Sequence, residues 1–305
     1  MPLIGVVIPA WNAEEFLAEA IESVQGQTFG NWRLVVVDNG STDGTAALAH
    51  RYATFDDRIT VISQANAGPS GARNTGVAAL PPEADYCLFL DSDDMLEPQA
   101  LELLLPAASR PGVIGAHGLP REIDERGVPA PKQLHEAWGH VRQQARRFRV
   151  RALQPEEDTD FASLVIWPCI ETPGQVLIKR GALEAAGPWR SMPSEDWDLW
   201  LRLATHGSFG YVPRYVVSKR ERSDSLSRDG KWMAQAEPAI RRMLASHSLP
   251  PEQRHVARMG HLLSCWVKLT WVRDDLRAHR WNSALRNTYR WMKSSVRFAG
   301  VAWRY

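Results

Sequence analysis

The chain has 305 residues, 44% of them hydrophobic, so it can bury a sizeable core and a largely disordered polypeptide is excluded. Lysine plus arginine (36) nearly balances aspartate plus glutamate (35), which gives no electrostatic basis for a general nucleic-acid or polyanion binder. Three widely spaced cysteines, Cys87, Cys169 and Cys265, form no Cys-x-x-Cys pair and argue against a disulfide framework or a structural zinc site.

The first apolar run, 3–8, follows no basic leader, and no stretch approaches the ~20 apolar residues of a membrane span. A cytoplasmic protein is expected. Runs 3–8, 33–37, 59–63 and 86–90 are apolar and rich in β-formers, and each precedes an amphipathic segment. The first such segment has Asn12 and Glu15 at capping-box spacing, then Phe16, Leu17, Ala20, Ile21 and Val24 at helical spacing, predicting a helix over 14–25. Continuous apolar strands alternating with helices predict an α/β fold with a mostly parallel sheet covered on both faces. Ligands in such sheets bind at the carboxyl ends of the strands.

Polar residues gather at those ends: Pro9-Ala10-Trp11-Asn12, Asp38-Asn39-Gly40-Ser41, the loop 64–76, and Asp91-Ser92-Asp93-Asp94. Asp91 and Asp93 alternate across Ser92, so both can face one site, where hard carboxylate oxygens suit Mg²⁺ or Mn²⁺ bridging a diphosphate. An isolated Asp-x-Asp would more often just solvate a turn. Asp38 ends the second run, where its carboxylate can accept from a base N–H or a ribose hydroxyl; Ser41, Thr42 and Asp43 are better placed to cap the next helix. The loop 64–76 is rich in small residues, so its backbone and Arg73 can approach a phosphate. Neither a Gly-Lys-Ser/Thr loop nor a Gly-x-Gly-x-x-Gly fingerprint is present.

Regularity fades over 119–165, which carries Arg142, Arg146, Arg147, Arg149 and Arg151. This stretch fits either an anionic acceptor or a solvated basic helix face. A strand is expected at 175–178. Trp197, Trp200 and Leu203 then mark a helix whose first turn holds Glu195 and Asp196, which also suit the positive end of a helix. From about 231 the pattern is helical only, with Met259, Leu262, Leu263, Trp266 and Val267 on one face. Over 251–305 eleven lysines and arginines stand against three acids, with five tryptophans interleaved. Such helices fit peripheral contact with the inner face of an anionic membrane, or packing against the preceding domain through arginine stems. No nucleic-acid module accompanies them.

Taken in order and spacing, Val6-Val7-Ile8-Pro9-Ala10-Trp11-Asn12, the Asp38 segment, 64–76, Leu88-Phe89-Leu90-Asp91-Ser92-Asp93-Asp94, and Gly187-Pro188-Trp189 with Ser194-Glu195-Asp196-Trp197 resemble the family 2 glycosyltransferases over roughly 3–228. The resemblance implies a GT-A fold in a domain spanning 1–230, with a nucleotide-binding half (1–118), an acceptor-binding and catalytic-base half (119–230), and a helical extension (231–305). It implies an inverting enzyme that moves a sugar from a nucleoside-diphosphate sugar, UDP-linked, with Mn²⁺ or Mg²⁺. The acceptor would be a hydroxyl of a polysaccharide, glycolipid or other cell-envelope carbohydrate or lipid-linked molecule.

By the same resemblance Trp11 stacks on the base beside Pro9 and Asn12, Asp38 contacts the base, and Arg73 helps hold the nucleotide. Asp91 and Ser92 serve the nucleotide sugar, Asp93 with Asp91 the metal, Asp196 is the general base, and Glu195 supports it. Three positions depart from the pattern: Trp11 for a common tyrosine, Asn39 for a second aspartate, and Arg222 for a histidine in Arg220-Glu221-Arg222. An arginine cannot ligate a metal but can clamp a diphosphate, with Arg220 the competing candidate. The alternatives are a catalytically silent nucleotide-sugar-binding or scaffold subunit, which Asn39 and Arg222 bring to mind, and a nucleotidyltransferase.

Overall fold

The computed structural model describes residues 1–131, 142–146, 149–166, 169–192 and 194–222, together with isolated positions 249, 251, 253, 254, 256, 276, 281 and 288. The helical extension expected from 231 therefore falls almost wholly outside the described residues, as does Cys265.

The four apolar runs form strands where the alternation places them: β1 (Ile4–Ala10), β2 (Trp32–Asp38), β3 (Ile59–Ser63) and β4 (Tyr86–Phe89). Between them lie α1 (Leu17–Gln25), α2 (Thr45–Phe55) and α3 (Gly68–Ala79). Beyond β4 come β5 (Met95–Leu96), α4 (Ala100–Ala108), β6 (Val113–Ile123), the hairpin β7 (Gln143–Arg146) and β8 (Arg149–Ala152), and α5 (Phe161–Ile166). Strand β9 (Val176–Lys179), α6 (Arg180–Ala186), α7 (Glu195–Ala204) and β10 (Ser208–Arg220) complete the described fold.

Eight strands make one sheet in the order β3-β2-β1-β4-β9-β6-β10-β5. The sheet is more mixed than expected, because β9 runs antiparallel to both β4 and β6, and β5 antiparallel to β10. The β3-β2-β1-β4 half is parallel throughout. Its strands bury both faces by alternation: Val7, Val35, Val37 and Phe89 point into one core with α5, α6 and α7, and Val6, Ile8, Leu34, Val36 and Leu88 into the other with α1 and α4. Burying each such side chain contributes on the order of 1.5–3 kcal/mol. At the sheet centre Gly115 is required, since a β-carbon there would lie 2.4 Å from the Leu177 carbonyl oxygen.

Two local expectations are corrected. The first helix begins at Leu17 with no side-chain cap, and Asn12 takes a left-handed φ of 47° and accepts the Thr42 N–H (2.9 Å) instead of capping its own helix. The arginine-rich stretch is a hairpin rather than a helix face. Arg142 is buried, its guanidinium 3.6 Å from the Tyr211 ring centre and its Nε donating to Thr159 Oγ1 (2.9 Å). His117 Nδ1 faces the Gly118 carbonyl (3.3 Å), which can only accept, so in the neutral ring Nε2 is left to accept the Thr159 hydroxyl (2.7 Å). Burial, and then Arg142, push the His117 pKa down to about 3. Among the described residues no helix is long and apolar enough to cross a membrane.

Candidate active site

The loops after β1, β2 and β3 are fastened to one another by side-chain oxygens. Asn12 N–H donates to Ser41 Oγ (3.0 Å), Ala13 N–H to Thr45 Oγ1 (2.8 Å), and Gly44 N–H to Glu14 Oε2 (2.9 Å). Pro9 is half-buried near the end of β1, and Trp11 stands at the rim with 57% of its surface exposed. Asp38 is buried at the end of β2, with Oδ1 accepting Ser41 N–H (3.2 Å).

Asn39 is not directed at the rim. Its Nδ2 donates to Asn66 Oδ1 (3.2 Å) and the Gly68 carbonyl (3.3 Å), and its Oδ1 accepts from Gln64 Nε2 (2.8 Å) and Ala67 N–H (3.0 Å). An aspartate could not make the two donations. The departure at this position thus belongs to the architecture of the 64–68 loop.

Just past β4 the chain turns, with Asp94 N–H donating to the Asp91 carbonyl (3.0 Å). Asp94 is buried and serves the turn itself: its Oδ1 accepts Arg220 N–H (2.9 Å) and its Oδ2 pairs with the Thr172 hydroxyl (3.0 Å). Burial, and then Asp91 and Asp93, hold its carboxyl well above the ordinary 3.8. Asp91 and Asp93 stay accessible, each side chain 31% exposed, with Ser92 half-buried between them. Burial, and then Asp91, raise the Asp93 carboxyl.

The opposite bank is the start of α7. Ser194 holds a left-handed conformation (φ 56°, ψ 45°), a strain on the order of 1–3 kcal/mol for a residue with a side chain. It sets the direction in which Glu195 and Asp196 leave the turn. Arg73, buried on α3, joins the banks: Nη2 lies 2.8 Å from Asp91 Oδ1 and Nη1 lies 3.0 Å from Glu195 Oε1. Its guanidinium also sits 4.5 Å from the Trp189 ring centre, and Asn74, next on α3, exchanges two 2.9 Å hydrogen bonds with the Trp189 backbone. Asp196 lies beside this bridge. Burial, and then Glu195, push its pKa up to about 6, against the pull of the Trp197 amide (2.7 Å) and Arg73.

The end of β10 closes the site behind the acidic turn. Arg220 is buried, its Nε donating to the Asp93 carbonyl (3.0 Å), Nη1 to the Glu125 carbonyl (2.7 Å), and Nη2 paired with Glu19. Arg222 is one-third exposed, with Nη1 3.6 Å from Asp93 Oδ2. Of the two arginines considered as a diphosphate clamp, Arg220 is committed to the protein and Arg222 faces the acidic turn.

Among the described residues no three His, Cys, Asp or Glu side chains are arranged to hold an ion. Asp91 and Asp93 are nevertheless accessible neighbours of like charge. A hard divalent ion held by one or two carboxylates and completed by substrate phosphates fits that donor set.

The site residues expected from the sequence thus lie at the carboxyl ends of β1, β2 and β4, at Arg73 on α3, at the start of α7 and just past β10. The sequence reading missed the residues that hold the site together. In the sequence Asp94 is indistinguishable from its accessible neighbours, and Trp189 is visible only as part of the Gly187-Pro188-Trp189 motif. The run Ser70-Gly71-Ala72-Arg73 on a small-residue helix gave a usable signal, since Ala72 and Gly76 allow α3 to lie close enough on the sheet for Arg73 to be buried.

A sequence model described as glycosyl transferase family 2 matches residues 5–167. EpsE of Bacillus subtilis, which carries the name putative glycosyltransferase, is 30% identical over 242 residues, covering 74% of this chain and 76% of its own. The first curated relatives are longer, the chain spanning 39%, 14% and 30% of their lengths. The mannosyltransferase PcManGT from Pyrobaculum calidifontis, solved with GDP-Man and Mn²⁺, superposes with a TM-score of 0.62 at 17% identity, covering 98% of this chain and 85% of its own. S. aureus TarS 1–349, solved with UDP-GlcNAc, superposes with a TM-score of 0.56 at 16% identity, covering 97% of this chain and 92% of its own. The two likenesses identify the fold as GT-A.

Proposed function

The chain belongs to glycosyl transferase family 2, and from that premise we propose that it is an inverting, metal-dependent transferase. It would move a sugar from a UDP-linked donor to a hydroxyl of a polysaccharide, glycolipid or other cell-envelope acceptor. The observation that carries the proposal is the Arg73 bridge, which ties the acidic turn bearing the accessible pair Asp91 and Asp93 to the Glu195-Asp196 turn. The TarS complex with UDP-GlcNAc and the PcManGT complex with GDP-Man and Mn²⁺ support a nucleotide sugar and a divalent ion as the class of ligand.

Each residue then has a task. Trp11 offers a flat, exposed face to the base beside Pro9 and Asn12, and Asp38 accepts a hydrogen bond from it. Asp91 and Asp93 hold Mn²⁺ or Mg²⁺, with Ser92 beside the nucleotide sugar. When bound, the ion supplies positive charge to the departing diphosphate. Asp196 takes the proton of the acceptor hydroxyl as that oxygen attacks the anomeric carbon from the side opposite the diphosphate. The bond from that carbon to the phosphate oxygen breaks, the nucleoside diphosphate leaves, and the anomeric configuration inverts. Glu195 stays ion-paired with Arg73 and keeps the turn bearing Asp196 in place. Arg222, beside Asp93, would act as a charge-assisted donor to diphosphate oxygens. The region 1–118 would bind the nucleotide and 119–230 the acceptor.

Product analysis with a panel of nucleotide sugars and Mn²⁺ tests this reading. Release of nucleoside diphosphate, abolished by Asp93→Ala and Asp196→Ala, is expected. Pyrophosphate release would identify a nucleotidyltransferase instead, and metal-dependent binding without turnover would identify a silent binding subunit.

A further inference from the structure

We propose that Arg202 is a positioning residue for the transfer reaction, acting through the segment 186–190 to fix the helix that bears Arg73 against the helix that bears Asp196. The inference rests on the proposed roles of the Arg73 bridge and of Asp196.

The chain leaves α6 through Gly187, whose φ of 80° lies in the left-handed region that favours glycine. Around this turn the backbone carbonyls of Ala186, Gly187, Pro188, Trp189 and Arg190 each accept a side-chain donor. Arg202 on α7 supplies the first three: Nη1 donates to Ala186 (2.5 Å) and Gly187 (3.1 Å), and Nη2 to Pro188 (3.0 Å). Helix α3 supplies the other two, from Asn74 Nδ2 to Trp189 (2.9 Å) and from Ser70 Oγ to Arg190 (2.9 Å). A segment whose carbonyls are taken in turn by two helices is a brace between them. Arg202 is itself buried and aimed by Asp198, one helical turn earlier, whose Oδ2 accepts Nε (2.9 Å). One planar guanidinium thus meets a carboxylate and three carbonyls, which the compact ammonium of a lysine cannot do.

The brace and the ion pair between Arg73 and Glu195 join the same two helices. Trp189, within the brace, lies with its ring centre 4.5 Å from the Arg73 guanidinium, and its backbone is held by Asn74, the residue after Arg73. At the other end Glu195 and Asp196 stand in the first turn of the helix that carries Arg202 in its last. Loss of the Arg202 fork frees one side of the brace, so Trp189 and the guanidinium it faces lose their fixed relation to Asp196. A shift of about 1 Å among reacting groups can slow a reaction about 10²-fold.

Turnover of UDP-GlcNAc with Mn²⁺ by the full chain, normalised to the UDP-binding stoichiometry so that only folded protein counts, tests this. Arg202→Lys and, from the other side of the brace, Asn74→Ala should each lower kcat about tenfold or more, with the Kd for UDP within about twofold of wild type. Added to Arg73→Lys, neither should lower kcat further by more than about twofold, because all three act on one geometry. A general loss of fold would not give this pattern, since it removes binding together with turnover and independent defects multiply. Losses that multiply with that of Arg73→Lys, UDP affinity that falls in step with kcat, or kcat unchanged in both single variants would overturn the brace and leave the proposed function standing. A wild-type chain that binds UDP-GlcNAc and does not turn it over would overturn the proposed function and the role of the brace together.

Discussion

Arg73 and Glu195, 122 positions apart in the chain, meet at 3.0 Å in an ion pair whose arginine side chain is only 6% exposed. The other arm of the same guanidinium holds Asp91 at 2.8 Å, so one rigid fork fixes the spacing between the acidic turn and the turn that carries Asp196. Its Nε is buried without a hydrogen-bond partner among the described residues, which shows that the fork is oriented by the two carboxylates and the Trp189 face.

Arg73→Lys keeps the charge and loses the fork, so one of the two carboxylates is released. Turnover is expected to fall about 10²-fold through misplacement of the reacting groups, with a much smaller change in nucleotide affinity. Steady-state kinetics separates the two effects. Unaltered turnover would show that the bridge does not position the site.

The Asp196 carboxyl is raised to about 6, and in its proposed role it could act as a base only when ionised. The rate should therefore be level above pH ~6 and fall about tenfold per unit below it. Recording kcat/KM against pH checks this sign. An acid limb lying near the ordinary carboxylate range would remove Asp196 from the role of base.

Asn39→Asp restores the charge the family pattern has at this position but replaces two donations, to Asn66 Oδ1 and the Gly68 carbonyl, by repulsion between acceptors. A loss of about 1–3 kcal/mol in unfolding free energy is expected. Denaturant melts read it directly, and unchanged stability would mean that the 64–68 loop does not depend on the amide.

Asp94 has a raised carboxyl, so over the range between 3.8 and its folded value the native state binds the extra proton and wild type gains stability as pH falls. Asp94→Asn keeps an acceptor for Arg220 N–H and a donor for Thr172, and should cost less than about 1 kcal/mol at neutral pH while flattening that slope. Asp94→Ala orphans both partners and should cost about 2–3 kcal/mol. Thermal melts across pH compare the three proteins.

The parallel half of the sheet was legible because Val6, Val7, Ile8, Val35, Val36 and Val37 leave no solvent face, and the polar loops follow each run at the same sheet edge. Strands β6 and β10 were not, for a physical reason. Their pairing slips between Ser208 and Phe209 and twice between Tyr211 and Val217, and Pro213 interrupts the pattern, so neither a period of two nor a continuous apolar run survives. The position of Asp91, Asp93 and Asp196 followed from motifs at strand and helix ends. The bridge through Arg73 and the anchoring by Asp94 and Arg220 did not, because both depend on contacts between segments more than 100 residues apart, 122 for Arg73–Glu195 and 126 for Arg220–Asp94.

The most direct test of the proposed activity is donor turnover by Asp196→Asn measured beside its nucleotide affinity, with UDP-GlcNAc and Mn²⁺ as probes. Wild type should bind UDP in a Mn²⁺-dependent way and release it from the sugar, and the variant should bind as well while turning over about 10²- to 10⁴-fold more slowly. Turnover undiminished in Asp196→Asn would contradict the assignment of the base and, with it, the shared site.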